Sequence, residues 1–226
     1  MADMKTFSGR DRYRLLVFDW DGTLMDSEAR IVKCVQSAIE AVGAASRSEA
    51  EIRNIIGLGL TEAVLTLYPD RDEVFVAHIT AAYREVFLYR DETPSPMFEG
   101  VREVLRFLTE QDYLLAIATG KSRAGLEREL LDSGLDGVFG ASRCADEAHS
   151  KPHPGMMHEI MDELEVEPSR SLMIGDTEYD IRMAFSAGAS ALAVSYGVHE
   201  VERLMRLEPT GMIDRISDLP AWLGHR

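Results

Sequence analysis

The chain has 226 residues, of which 46% are hydrophobic and 28% are charged, and its formal net charge is -15. This composition is typical of a globular protein and excludes a disordered chain. The negative charge argues against nucleic acid as a partner, because binding to a phosphate backbone needs a basic face. The length suits one large domain or a core that carries an insert.

Two cysteines, Cys34 and Cys144, are the only ones in the chain. Two cysteines do not make a disulfide framework, so a reducing compartment is favoured. Residues 1–20 contain too short an apolar stretch for a signal peptide, and no later stretch is long enough to span a bilayer. We therefore expect a cytoplasmic protein with no membrane partner, while the oligomeric state is left open.

Short apolar runs recur along the chain, with helical patterns between them. Runs that are apolar throughout suit parallel strands covered on both faces. The helical patterns include one stripe at Val101, Val104, Leu105 and Leu108, and another at Met157, Ile160, Met161 and Leu164. Together they predict an α/β fold with a doubly wound parallel sheet. The predicted strands lie in residues 13–18, 113–119, 137–142, 171–175 and 191–196.

The first two apolar runs are separated by roughly ninety residues, far more than a crossover connection requires. Within this stretch, Ile31, Val35, Ala38, Ile39 and Val42 share one helical face, and residues 74–89 carry a second apolar pattern. We expect an inserted α-helical cap domain over residues 25–96. The catalytic core would then comprise residues 1–24 and 97–226.

The first apolar run ends in "DWDGTLMD", residues 19–26. Alternation along a strand directs Asp19 and Asp21 to the same side, just beyond the carboxyl end of the strand, where open α/β sheets bind ligands. Two neighbouring carboxylates repel each other and lose hydration on burial unless a cation compensates them. Mg²⁺ is favoured because it prefers carboxylates, carbonyls and water. Turn formation or capping is the competing interpretation, and for Asp26 it is equally good.

Three later segments carry polar groups at strand ends. "ATGKS" places Thr119 and Gly120 before a helix that begins near Ser122, and helix N-termini bind phosphate. The same segment lacks the first glycine of a P-loop, so a nucleoside triphosphate site is rejected. "SKPHP" supplies Lys151, and "GDTEYD" supplies Asp176, a third oxygen ligand, and Asp180, which could orient Lys151 or a water. Capping and solvated charges are the alternatives for these residues.

These four segments, in this order, resemble the four motifs of the haloacid dehalogenase-like hydrolase superfamily. The resemblance covers the whole core, and the helical insert is similar to the small helical cap of one subclass. Within that superfamily the chain is similar to phosphoglycolate phosphatases, including in "IGLGL", residues 56–60. The resemblance implies a Rossmann-like core and a Mg²⁺-dependent phosphatase that acts on a small phosphorylated metabolite.

Carried over residue by residue, the resemblance makes Asp19 the nucleophile that forms an aspartyl-phosphate, and Asp21 the general acid and base. The metal ligands would be Asp19, Asp21 through its backbone carbonyl, and Asp176, with Asp180 as an orienting residue behind them. Thr119, Gly120 and Lys151 would bind the transferring phosphoryl group. Gly57 and Gly59 of the cap could reach the substrate, although glycines that end one helix and start the next explain them equally well.

Two positions depart from the family pattern. Trp20 stands where a smaller apolar residue is common, and because it points away from the site we expect it to affect packing alone. "TGK" replaces the frequent "TNK", which keeps the main-chain donor at Gly120 but removes a side-chain amide. A phosphomutase and a phospho-accepting signalling domain stay open as alternatives. Dehalogenation is disfavoured because the family's dehalogenases lack an acid at the position of Asp21.

Overall fold

A computed structural model describes residues 12–225, and its centre is a parallel sheet of six strands. In chain order they are β1 (Leu15–Phe18), β2 (Leu114–Thr119), β3 (Ala141–Cys144), β4 (Ser171–Gly175), β5 (Ser190–Val194) and β6 (Gly211–Ile213). In space the order is β3-β2-β1-β4-β5-β6, so β1 lies in the middle between β2 and β4. The predicted doubly wound α/β fold is confirmed.

Strand β1 shows why the strand segments are apolar at every position. Leu16 and Phe18 face one hydrophobic core, and Leu15 and Val17 face a second core on the opposite side of the sheet. All four side chains are fully buried. Because both faces are covered, alternation between apolar and polar residues would place polar groups in one of the cores.

The insert between β1 and β2 is helical over most of its length. It contains α1 (Glu28–Ala41), α2 (Glu49–Asn54), α3 (Leu60–Leu67) and α4 (Glu73–Glu85), followed by a π-helical turn, Val86–Arg90. Their apolar side chains form a third hydrophobic cluster that is separate from the two beside the sheet. The predicted stripe on α1 is buried, except that Val42 lies just beyond the helix and is half-buried. The boundary of a cap domain at residues 25–96 stays a prediction.

The remaining helices cover the two faces of the sheet. They are α5 (Val101–Glu110), α6 (Arg123–Ser133), α7 (Gly155–Glu163), α8 (Glu178–Ser186), α9 (Val201–Met205) and α10 (Leu219–Trp222). Helix α5 buries the predicted stripe completely, whereas on α7 the last predicted position, Leu164, lies past the helix end. Within residues 12–225, no helix combines the length and the apolar character needed to cross a membrane.

Two strands differ from the sequence prediction. Strand β3 begins at Ala141, later than the run at residues 137–142, and its central Ser142 and Arg143 are half-buried. It is an edge strand, and an edge strand needs no continuous apolar run. Strand β6 was not predicted, because three residues are too few to show a pattern.

Candidate active site

The carboxyl ends of β1, β2 and β4 lie side by side at one edge of the sheet, because these neighbouring strands are parallel. Asp19 directly follows β1, Thr119 is the last residue of β2, and Asp176 directly follows β4. All three side chains are buried. The structure therefore brings these sequence-predicted residues to the same edge.

Asp19 presents two different carboxylate oxygens. Its Oδ1 atom accepts a hydrogen bond from the main-chain amide of Trp20 at 2.6 Å and lies 2.7 Å from Nζ of Lys151. Its Oδ2 atom is buried and has no hydrogen-bond partner among the described residues. A buried carboxylate oxygen without a partner is costly, so this atom is suited to a ligand or to nucleophilic attack.

Lys151 is fully buried and lies between two carboxylates. Its Nζ atom is 2.7 Å from Asp19 Oδ1 and 2.7 Å from Asp180 Oδ1. Burial alone would lower the pKa of Lys151, but the two aspartates outweigh it and raise this pKa. Asp180 also accepts hydrogen bonds from the amide and hydroxyl of Thr177, which caps α8. Asp180 therefore both caps helix α8 and pairs with Lys151, so the capping role and the orienting role considered from the sequence are compatible.

Asp176 is held by two donors. Its Oδ1 atom accepts from the Thr23 hydroxyl at 2.8 Å, and its Oδ2 atom accepts from the Val198 amide at 2.8 Å. Gly22 lies so close that a Cβ atom at that position would overlap the Asp176 carboxylate. The backbone of Gly22 also has a φ of 79°, which favours glycine. The glycine of the first motif therefore makes room for the aspartate of the fourth.

The acidic cluster fits a divalent cation. Ligand oxygens of Asp19, Asp176 and Asp180 lie within 4.8 Å of one another, and these three buried carboxylates face the single ammonium of Lys151. Burial is the main cause that raises the pKa of Asp19 well above its ordinary value and that of Asp176 to about 7, and neighbouring carboxylates add to both shifts. Incomplete charge compensation and a set of oxygen ligands together suit a hard divalent cation.

Asp21 lies next to this cluster, but it has different partners. Its Oδ1 atom accepts a hydrogen bond from the Ser27 hydroxyl at 2.5 Å and lies 3.1 Å from Nζ of Lys121. The side chain is 11% exposed and lines a cavity, as does Asp19. Asp21 therefore faces the cavity that Asp19 also lines.

Thr119 and Gly120 lie where β2 turns toward α6, whose N-cap residue is Ser122. The Thr119 hydroxyl oxygen accepts from the Lys121 amide at 3.2 Å. A Cβ atom at Gly120 would collide with the carbonyl of Leu58 in the insert. The glycine in "TGK" therefore lets the insert approach the carboxyl end of β2 more closely than a residue with a side chain would allow.

Gly57 and Gly59 lie in the loop between α2 and α3, and this loop contacts the strand edge. Gly57 has a φ of 97° and packs against Thr177, and the Gly59 amide donates to the Ser150 hydroxyl at 2.7 Å. Gly59 is also the N-cap residue of α3. The two glycines connect two helices and bring the insert close to the core, whereas their contact with the substrate stays a prediction.

A cavity of about 90 Å³ adjoins Asp19 and Asp21. Most of its wall consists of aliphatic and aromatic side chains of the insert, and its polar lining includes Lys121, Ser122 and Arg84. The cavity therefore lies between the carboxyl ends of the strands on one side and the insert on the other.

Sequence reasoning missed several polar groups of this region: the side chains of Ser27, Lys121 and Glu129 and the main-chain amide of Val198. Lys121 stands inside the quoted "ATGKS" segment and could have been found there, whereas Glu129 lies on α6 without a local signal. Trp20 does pack in the core, as expected, but its indole N–H also donates to the Glu129 carboxylate. The prediction that Trp20 affects packing alone is therefore incomplete.

Comparisons with known proteins agree with this geometry. Residues 16–194 match the family model described as haloacid dehalogenase-like hydrolase. The chain is 35% identical over 214 residues to the "Probable phosphatase IndB" of Dickeya dadantii, covering 91% of each chain. It is 26% identical to a phosphoglycolate phosphatase of Vibrio vulnificus, covering 91% of this chain and 94% of the relative. It is 29% identical to the pyrophosphatase PpaX of Bacillus cereus, covering 92% and 95%.

A solved structure shows the same architecture. The crystal structure described as a haloacid dehalogenase-like hydrolase from Bacteroides fragilis superposes with a TM-score of 0.86 at 25% identity. The match covers 92% of this chain and all of that one. From the family match, the relatives and the clustered aspartates, we conclude that the chain belongs to the haloacid dehalogenase-like hydrolases and is a phosphatase.

Proposed function

We propose that the protein is a Mg²⁺-dependent phosphatase that hydrolyses a small phosphorylated metabolite through an aspartyl-phosphate intermediate. The observation that carries the proposal is the asymmetry of Asp19. Its Oδ1 atom is held by Lys151 and the Trp20 amide, while the buried Oδ2 atom has no partner among the described residues. That oxygen is available to attack phosphorus, and the rest of the carboxylate is already oriented.

In this mechanism Asp21 acts on the other side of the transferred group. It donates a proton to the departing alcohol in the first step and accepts a proton from water in the second. Thr119, the Gly120 amide and Lys151 bind the phosphoryl oxygens. Asp19, the main-chain carbonyl of Asp21, and Asp176 would hold Mg²⁺, with Asp180 orienting Lys151. Bound there, Mg²⁺ would offset the repulsion between a carboxylate and the phosphate dianion.

The insert acts as a cap in this proposal, with residues 25–96 covering a core of residues 1–24 and 97–226. Its separate hydrophobic cluster and the Gly59–Ser150 hydrogen bond support this division. The cavity of about 90 Å³ lies between the insert and the core, beside Asp19 and Asp21. A small leaving group, such as glycolate or part of a sugar, suits this volume. The buried free thiols of Cys34 and Cys144 support a cytoplasmic location.

The cavity lining favours hydrolysis over phosphoryl transfer between two positions of one substrate. A phosphomutase must bind a second phosphate, which needs cationic groups on the cap side. The basic residues that line the cavity are Lys121 and Arg84. Of these two, only Arg84 belongs to the insert, so the cap side of the cavity offers one cation rather than a cluster.

The nucleophile is tested with Asp19→Asn and the generic substrate 4-nitrophenyl phosphate. We expect the variant to lose phosphate release by more than about 1,000-fold, because the amide cannot form the phosphoenzyme. The matched control is Asp26→Asn, which removes an exposed aspartate from the same segment and should keep activity. Turnover by Asp19→Asn at the rate of the control would refute the nucleophile.

The substrate class is tested with a panel that contains phosphoglycolate, sugar phosphates and inorganic pyrophosphate, each with Mg²⁺ and with a chelator. We expect many turnovers per chain on at least one phosphate ester, and none with the chelator. Release of no more than one phosphate per chain would instead indicate a phospho-accepting signalling domain. Activity that persists in the chelator would contradict the metal requirement.

A further inference from the structure

Glu129 is a buried acid that the mechanism above does not use. It lies on α6 with 7% of its surface exposed. Its Oε2 atom accepts the indole N–H of Trp20, and its Oε1 atom lies 3.0 Å from Nζ of Lys121 and 3.9 Å from a guanidinium nitrogen of Arg30. A carboxylate is expensive to bury, and these donors compensate it. Helix formation does not require an acid here, so its position calls for another explanation.

Lys121 connects Glu129 to the site. Its Nζ atom lies 3.0 Å from Glu129 Oε1 and 3.1 Å from Asp21 Oδ1, and its side chain is 7% exposed. The ammonium also lies 4.6 Å from the centre of the Phe87 ring. Burial alone would lower the pKa of Lys121, but Asp21 and Glu129 raise it, so the group stays charged. The ammonium is thus held in one place by two acids and an aromatic ring.

The two oxygens of Asp21 are consequently in different environments. Lys121 and the Ser27 hydroxyl both bind Oδ1, at 3.1 Å and 2.5 Å. Among the described residues, no hydrogen bond to Oδ2 is formed, and the side chain lines the cavity. Fixing one oxygen orients the other toward the leaving group, which is the geometry that a general acid needs.

We propose that Trp20 and Glu129 are positioning residues that hold Lys121 against Asp21, so that Asp21 presents one oxygen to the leaving group. This inference rests on the proposed function, because it assigns a purpose to Asp21 as an acid. It also explains the tryptophan at position 20: the indole N–H supplies the donor that Glu129 Oε2 requires, which a smaller apolar residue cannot do.

The inference is tested by comparing two substrates in kcat/KM, which reports the steps through departure of the alcohol. 4-Nitrophenyl phosphate has a leaving group that departs without a proton, whereas an alkyl phosphate needs an acid. Phosphoglycolate, or the best alkyl ester of the panel, serves as the second substrate. The variants are Lys121→Met and Trp20→Phe, and the phenyl ring keeps the aromatic contact with Phe139.

For Lys121→Met we expect kcat/KM to fall about 100-fold on the alkyl ester and less than about 5-fold on 4-nitrophenyl phosphate. For Trp20→Phe we expect kcat/KM to fall about 10-fold on the alkyl ester and to stay unchanged on 4-nitrophenyl phosphate. If both act through one arrangement, Trp20→Phe should have no further effect in the Lys121→Met background. The control is Arg143→Met, which removes a cation paired with Glu159 and Glu163 on the outside of α7, and it should change neither rate.

Equal losses on the two substrates, or additive losses in the double variant, would overturn the inference. Circular dichroism and thermal unfolding identify a variant that fails to fold, and for such a variant Glu129→Gln replaces it, with the same substrate dependence expected. Asp21→Asn separates this inference from the proposed function. If Asp21→Asn shows no substrate dependence, the acid role itself is wrong; if it does and the Lys121 and Trp20 variants do not, the positioning role alone is wrong.

Discussion

The ammonium of Lys151 lies 2.7 Å from Asp19 Oδ1, although the two residues are 132 positions apart in the chain. The contact is fully buried, and the same ammonium lies 2.7 Å from Asp180. It leaves Asp19 Oδ2 as the oxygen without a partner among the described residues. One lysine thus compensates two acids and determines which oxygen of the proposed nucleophile is available.

Lys151→Met should therefore affect both stability and activity. Removing one partner of a buried ion pair leaves an uncompensated charge, which typically costs about 3–5 kcal/mol of unfolding free energy. We expect a clear decrease in that free energy, measured by urea denaturation, and loss of 4-nitrophenyl phosphate hydrolysis. Asp180→Asn should retain more activity than Lys151→Met, because Asp19 keeps its lysine. An unfolding free energy of Lys151→Met equal to that of wild type would contradict the buried pair.

Gly120→Ala should disturb the approach of the insert to the strand edge. A Cβ atom at this position meets the Leu58 carbonyl, so the loop that contains Gly57 and Gly59 must move away. We expect KM to rise several-fold with a smaller change in stability, and steady-state kinetics measures both parameters. Gly140→Ala is the matched control, because a Cβ atom there would meet its nearest neighbour, Leu164, at an ordinary 3.5 Å. An unchanged KM in Gly120→Ala would show that this contact does not position the substrate.

Mg²⁺ should stabilise the folded chain, because a cation that binds only the folded state adds free energy by mass action. At a concentration about 100 times the dissociation constant, the gain is about 2.7 kcal/mol. We expect the midpoint temperature of thermal unfolding to rise with Mg²⁺ and to return to its original value when a chelator is added. Asp176→Asn should lose this shift, whereas Asp162→Asn, which changes an exposed aspartate of α7, should keep it. An equal shift in both variants would argue against the proposed ligand.

His199 should make stability depend on pH. It is 4% exposed, and its Nδ1 atom accepts the Glu178 amide. Burial, helped by the nearby Arg203, lowers its pKa to about 4 from the ordinary 6.5. Between these values His199 binds a proton in the unfolded chain more readily than in the folded chain. The contribution of His199 is therefore fully present above about pH 6.5 and is lost as the pH falls toward 4.

The measurement is urea denaturation at pH 7 and at pH 5. Relative to His199→Gln, wild type should lose unfolding free energy between pH 7 and pH 5, because the other titrating groups are common to both proteins. His158→Gln, which changes an exposed histidine on α7, should behave like wild type. If wild type and His199→Gln lose the same free energy, the buried neutral imidazole is not the cause.

The fold class followed from the sequence because its main signals are local. Completely apolar runs predicted strands covered on both faces, and four of the five runs overlap central strands that satisfy this condition. Strands β3 and β6 show the limit of this signal. The first is an edge strand with half-buried positions, and the second is only three residues long. Neither needs the composition that marks a central strand.

The residues of the candidate site also divide into those that the sequence predicts and those that it does not. Asp19, Thr119 and Asp176 were predictable as neighbours because each stands at the end of a parallel strand, and parallel strands place those ends at one edge. Glu129 was not predictable. It lies in the middle of a helix, where an acid is ordinarily a solvated charge, and only the packing of α6 against the core brings it to Trp20 and Lys121.

The sequence by itself thus determined the order of the strands along the chain, the polar groups at their ends and the family to which they belong. The tertiary structure decided which oxygen of Asp19 stays unpartnered, that Gly120 admits the carbonyl of Leu58, and that Trp20 is joined to Asp21 through Glu129 and Lys121. The physical reason is the distance along the chain over which each kind of interaction acts. Strand and turn signals act over a few neighbouring residues, whereas the partners of a buried polar group are set by side chains that meet only after the layers pack.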